Sequence, residues 1–250
     1  MTDGLDDSAI ILSGVRKSYG RTMAVRNLSL RVSQGELFAF LGPNGAGKTT
    51  TIKMIVGLLR PDEGSVSVCG HAIGSNGVAA KARLAYVPDQ PFIYDKLTGR
   101  EFLYFVAEMF SIPTQQRDLR LNTLIRRLDI GEFLDHLTES YSHGMKQKIV
   151  LAAALLHDPA VLVIDEPMVG LDPRTVRSVK NLFTEHTRNG GTIFMSTHTL
   201  EIAEALADRI GIIHRGDLIA VGTLAELKKQ AKREHSLEDV FLELTEVNDE

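Results

Sequence analysis

The sequence predicts an α/β fold: a mostly parallel sheet with an antiparallel β portion near the N-terminus, an inserted helical subdomain and a helical C-terminal appendage. Three observations carry this. Short apolar runs recur along the chain with helical stretches between them. Residues 97–155 show helical spacing and no convincing strand, and a glycine-rich turn joins one apolar run to a helix.

The apolar runs cover residues 9–12, 37–41, 84–87, 161–164, 192–195 and 210–213. Continuous apolar runs of this length suit strands covered on both faces. Their alternation with helices favours parallel pairing. The first third departs from this scheme, because residues 23–32 and 65–68 lie beside glycine-containing turns with little room for a crossover helix. Antiparallel pairing is expected there. Residues 97–110, 116–128 and 145–157 place apolar side chains at helix spacing. After Gly222 the chain turns charged and helical. The expected organisation is one domain of residues 1–250. Residues 1–94 and 156–222 form the core with its antiparallel portion, 95–155 the helical insert and 223–250 the appendage.

Composition narrows the function. The chain has 250 residues, 44% of them hydrophobic, enough to bury a sizeable core. Its formal net charge is −4 and no long block of like charge precedes residue 220, so no nucleic-acid partner is expected. Cys69 is the only cysteine, which fits a reducing compartment. The opening residues are acidic and lack the basic and apolar regions of an export signal. The longest apolar run, 149–156, falls far short of the roughly 18–20 residues that cross a bilayer. A cytoplasmic location is expected, with any membrane role reached through a partner.

The strongest local signal is Gly42-Pro43-Asn44-Gly45-Ala46-Gly47-Lys48-Thr49-Thr50, which follows the run 37–41 and opens a helical stretch. It fits the P-loop pattern in the strand, loop, helix context that the pattern requires. Glycines let successive backbone N–H groups turn inward around a phosphate, and the helix N-terminus adds partial positive charge. Lys48 is placed to reach the β- and γ-phosphates and Thr49 to ligate Mg²⁺. A P-loop NTPase core follows. The loop alone does not separate a GTPase, a kinase or a motor, although no Asn-Lys-x-Asp guanine-reading sequence is present.

The run 161–164 ends in the adjacent acids Asp165 and Glu166. Strand geometry points neighbouring side chains to opposite sides, so one acid can serve the metal while the other faces water. The order seen in P-loop ATPases assigns Asp165 to Mg²⁺ and Glu166 to the general base. The run 192–195 ends in Ser196-Thr197-His198. His198 is expected on the same sheet edge as Lys48 and Asp165, at the carboxyl ends of parallel strands where ligands bind. It is a candidate γ-phosphate contact.

This ordered set resembles the ABC ATPase family over nearly the whole chain, with features of the bacterial exporter branch. The resemblance makes Tyr19, within Lys17-Ser-Tyr19-Gly20, the adenine platform. Tyr141-Ser142-His143-Gly144-Met145 stands where the family carries Leu-Ser-Gly-Gly-Gln. Ser142 and Gly144 match and are expected to bind, in trans, the ATP held by a second subunit; Tyr141, His143 and Met145 depart. Taken as plain structure, Ser142 is a helix N-cap, and both roles can hold together. Gly170-Leu-Asp172-Pro173 resembles the segment crossing the dimer interface, which marks Asp172. Val87-Pro-Asp89-Gln90 resembles the loop that links metal and attacking water to the membrane partner, through Asp89 or Gln90.

The resemblance implies an ATPase using ATP and Mg²⁺, a second ATPase subunit that makes a homodimer or a heterodimer, and a separately encoded integral membrane subunit. The protein would then lie peripherally at the inner face of the membrane. The signature variant and the ending 236–241 look like those of exporters. The alternative is a soluble ABC-type ATPase acting on ribosomes or DNA, whose relatives usually carry two ATPase halves or a long coiled-coil insertion; neither is visible. A nucleotide sensor without turnover is disfavoured by Glu166.

Overall fold

A computed structural model describes residues 7–74, 77–230 and 237–246. Residues 1–6 and Ser236, on which the expectations for the start and the ending partly rest, lie outside the described residues. The chain opens with strands β1 (Ser8–Tyr19), β2 (Thr22–Ser33) and β3 (Leu37–Leu41), followed by helix α1 (Lys48–Ile55). Strands β4 (Glu63–Val68) and β5 (His71–Ala72), helix α2 (Val78–Lys81) and strand β6 (Leu84–Val87) come next. Three helices then follow, α3 (Gly99–Met109), α4 (Thr114–Leu128) and α5 (His143–Leu156). Strand β7 (Val161–Asp165), helix α6 (Pro173–Arg188), strand β8 (Thr192–Thr197) and helix α7 (Leu200–Leu206) continue the alternation. Strands β9 (Arg209–His214) and β10 (Asp217–Gly222) precede helices α8 (Leu224–Gln230) and α9 (Leu237–Glu246).

The main sheet has the order β10-β9-β3-β8-β7-β6. It is parallel except for β10, which pairs antiparallel with β9 through a tight turn. Its strands are apolar on both sides because both sides are covered. Side chains alternate in direction along a strand, so each strand feeds two cores. Leu37, Ala39 and Leu41 face the helical layer with Leu162, Ile164, Ile193 and Met195. Phe38, Phe40, Val161, Val163 and Phe194 face the opposite side, where α1 and the second sheet pack. On that side Phe194 lies 5.7 Å from Phe38 and 5.3 Å from Phe40, aromatic contacts worth about 0.5–1.5 kcal/mol each beyond their burial.

The second sheet, β2-β1-β4-β5, is antiparallel. Residues 9–12 therefore join the antiparallel sheet, as part of β1, and not the parallel set with which their composition grouped them. The reason is connectivity: Gly20 and Arg21 are all that separate β1 from β2, and a parallel crossover needs a dozen or more residues. The α3 helix starts where Thr98 Oγ1 accepts from Glu101 N–H at 3.2 Å while Glu101 Oε2 accepts from Thr98 N–H at 2.8 Å, a reciprocal capping box. Leu103, Ala107, Leu121, Leu124 and Leu128 turn the buried stripes of α3 and α4 into the same core as α5.

Candidate active site

The loop after β3 folds under tight backbone constraint. Gly47 has φ +111, and a Cβ there would collide with the carbonyl oxygen of Ala24 in β2. A Cβ on Gly42 would collide with the carbonyl oxygen of Ile213 in β9. Glycine at both positions lets the loop lie between the two sheets, where Gly216 N–H donates to Ala46 O at 2.9 Å. The resulting cavity, of about 200 Å³, is lined by Ala24, Pro43, Asn44, Gly45, Gly47, Lys48, Thr49 and Thr50. Lys48, only 8% exposed, donates from Nζ to Gly42 O at 2.6 Å and Pro43 O at 3.2 Å. Burial pushes its pKa down, opposed by the carboxylates of Glu166 and Asp165.

Strands β7 and β8 bring the remaining groups to the same sheet edge, as the parallel arrangement predicts. Asp165, 3% exposed, pairs in register with Ser196. Its carboxylate accepts from Thr49 Oγ1 at 3.1 Å and from Ser196 Oγ. Glu166 Oε1 lies 2.8 Å from His198 Nδ1, with the Glu166 side chain 14% and the His198 side chain 62% exposed. One sequence expectation is corrected in its cause. Asp165 and Glu166 do not diverge by strand alternation, because β7 ends at Asp165 and Glu166 adopts φ +51, a left-handed turn. That turn is held by Glu166 N–H donating to Ser196 O at 3.1 Å.

Ser196 is a site residue to which sequence analysis gave no role. A hydroxyl at the end of an otherwise apolar strand, in register with an acid, was the available signal. Tyr86 of β6 lines the neighbouring apolar cleft, and its phenol is pushed up to about 12 by burial first, then by the charges of Asp165 and Asp89.

The other expected residues lie outside this cluster. Tyr19 ends β1 and is 51% exposed, but Ala24 rather than Tyr19 lines the cavity. Asp89 and Gln90 are exposed on the loop after β6, and neither hydrogen-bonds to Thr49 or Asp165 among the described residues. Ser142 Oγ accepts from Met145 N–H at 3.3 Å and so caps α5. Gly144 lies in the first turn of α5, where a Cβ would stand 2.6 Å from Gly170 O. Asp172 caps α6, accepting from Thr175 N–H at 2.9 Å and Thr175 Oγ1 at 2.6 Å.

Among the described residues no group of three His, Cys, Asp or Glu side chains could hold a metal by itself. The Thr49 hydroxyl and Asp165 carboxylate are hard oxygen donors in contact beside the phosphate loop, a set that fits Mg²⁺ when nucleotide phosphates complete the shell.

The loop, the buried acid at the end of β7 and the parallel sheet define a P-loop nucleotide-binding protein. A match to the ABC transporter family covers residues 25–169. The chain is 37% identical over 213 residues to the linearmycin resistance ATP-binding protein LnrL of Bacillus subtilis (strain 168), covering 85% of this chain and 68% of that one. It is 33% identical over 239 residues to the ABC-type transporter ATP-binding protein EcsA of the same organism, covering 95% and 97%. A solved structure described as an ATP binding subunit of an ABC transporter superposes with a TM-score of 0.91 at 33% identity, over 95% of this chain and all of that one. The chain belongs to the ABC transporter family, as an ATP-binding subunit.

Proposed function

We propose that this subunit hydrolyses ATP to drive export through a separately encoded membrane protein, and that two ATPase subunits share each pair of nucleotides. The observation that carries hydrolysis is the Glu166–His198 contact at the sheet edge beside Asp165, Thr49 and Lys48. Residues 42–50 cradle the phosphates through backbone N–H groups and the N-terminus of α1. Lys48 exchanges its two loop carbonyls for phosphate oxygens. Thr49 and Asp165, with Asp89 or Gln90 of the β6 loop, would hold Mg²⁺, which when bound would neutralise phosphate charge. Glu166 takes a proton from the attacking water, and His198 holds its carboxylate and reaches the γ-phosphate. Tyr19 stacks on adenine. Ser142 and Gly144 of the second subunit close over the γ-phosphate, with Asp172 at the interface.

A membrane partner is supported by the helical arm of residues 95–155. An apolar cleft of about 350 Å³ separates it from the core, lined by Tyr86, Pro88, Phe92, Phe102, Val106 and Phe110 among others. Phe92 is 75% exposed, an aromatic face that suits a covering helix. No helix among the described residues is long and apolar enough to cross a membrane, so a membrane-spanning partner would supply that part and hold this subunit at the inner face. Export is supported by similarity to a resistance protein.

Replacing the base tests the assignment. Glu166→Gln keeps the shape and removes the proton acceptor, so ATP should still bind while turnover falls by about a hundredfold or more. Turnover at the parent rate removes Glu166 from the mechanism.

A further inference from the structure

The first turn of α5 and the loop 166–172 meet backbone to backbone within one subunit. A Cβ on Gly144 would stand 2.6 Å from Gly170 O. Gly170 has φ +77, and a Cβ there would stand 2.6 Å from His143 Cδ2 and 3.5 Å from Nε2. The edge of the His143 imidazole therefore lies over the Gly170 α-carbon. One turn further along α5, Lys148 Nζ lies 3.8 Å from Asp172 Oδ2, and Asp172 in turn caps α6.

Both partners in this contact are themselves held. Tyr141, just ahead of the contact, is buried and tied down at its hydroxyl, which donates to Phe133 O at 2.6 Å and accepts from Gly99 N–H at 3.2 Å. The loop 166–172 is folded by Val169 N–H donating to Glu166 O at 3.4 Å and Leu171 N–H to Met168 O at 3.3 Å. Met145, Met168 and Leu171 pack on one apolar core. The base Glu166 thus stands at one end of a short folded loop, and the His143 ring covers the other.

We propose that His143 is a positioning residue: its ring holds the 142–144 segment in register with the loop that carries Glu166 and Asp172. A subunit then presents Ser142 and Gly144 to its neighbour's nucleotide in a place set by its own loop 166–172. His143 is exposed and the edge of its ring meets Gly170, whereas a glycine at 143 would leave the Gly170 face open. The proposal rests on the shared-site function described above, and its test separates the two.

The full chain is compared as His143→Gly and His143→Gln, each with and without Glu166→Gln. In the Glu166→Gln background, His143→Gly should raise the ATP concentration for half-maximal dimerisation about five- to tenfold, a size usual for residues along a packed path. ATP affinity of the dilute single subunit should stay at the parent value, and amides 166–172 should exchange hydrogen faster. His143→Gln, planar and of similar reach, should recover most of both effects. Unchanged dimerisation together with unchanged exchange overturns the role of His143 while leaving the shared site standing. A parallel loss of single-subunit ATP affinity overturns it too, since His143 would then support the fold as a whole. If Glu166→Gln with His143 intact never dimerises with ATP, self-pairing falls, and the positioning role of His143 in it falls too.

Discussion

Asp165 accepts two hydroxyl donors and sits almost out of water, so its charge is felt by its neighbours at short range. Tyr86 reports that charge. Its phenol lies near 12 against an ordinary 10, with burial the largest cause and Asp165 the next. A pKa raised by folding means stability that is complete below pH 10 and is lost as pH climbs through about 12, because the unfolded chain releases the proton first. Asp165→Asn should bring the Tyr86 titration down, yet leave it above 10, since burial remains. Ring-labelled tyrosine spectra, assigned with Tyr86→Phe, follow it directly. An unmoved titration in Asp165→Asn would show that the carboxylate does not face Tyr86. The same residue marks a limit of sequence analysis. Tyr86 reads as one more strand residue until β6 is placed beside β7.

At the scale of elements, α6 begins where Asp172 ends the loop 166–172 and caps the helix. The Asp172 carboxyl is held at about 2, below its ordinary 3.8, first by the Thr175 hydroxyl, then by the Thr175 amide and the nearby Lys148. A depressed carboxyl contributes stability above pH 3.8 that disappears as pH falls towards 2. Thr175→Val removes the leading cause, so the Asp172 titration should move up towards 3.8, measured by carboxyl-carbon NMR; a titration left at about 2 would mean the amide alone fixes the cap. Elements of this kind were partly legible. The strands of the main sheet are apolar because they are covered on both faces, and the loop 42–50 announces itself because phosphate chemistry demands glycine, lysine and threonine at fixed spacing. What stayed hidden depends on contacts far apart in sequence. The membership of residues 9–12 in the antiparallel sheet follows from a two-residue connection. The left-handed turn at Glu166 follows from its bond to Ser196, and the roles of Ser196 and Tyr86 follow from strand register. Periodicity within one segment carries none of these.

For the molecule as a whole, the sheet divides labour between its two sides. One side joins α1 and the antiparallel sheet around the phosphate loop; the other carries α5, α6 and the helical arm. The phosphate loop, Asp165, Glu166 and His198 gather on one edge, while Gly144 packs against the 170 turn of its own subunit. A subunit alone therefore holds phosphates from one side. A second subunit would add a capped helix N-terminus, whose partial positive charge favours the γ-phosphate. ATP bound between the two subunits would then stabilise the assembly by mass action. Glu166→Gln should accordingly sediment with ATP near twice 27.5 kDa and return to 27.5 kDa when nucleotide is removed. Ser142→Ala in that background keeps the backbone of α5 and deletes the hydroxyl, so the dimer should weaken while each subunit stays loaded. A mass that stays at 27.5 kDa with ATP saturating would rule out self-pairing and direct the search to a different ATPase subunit.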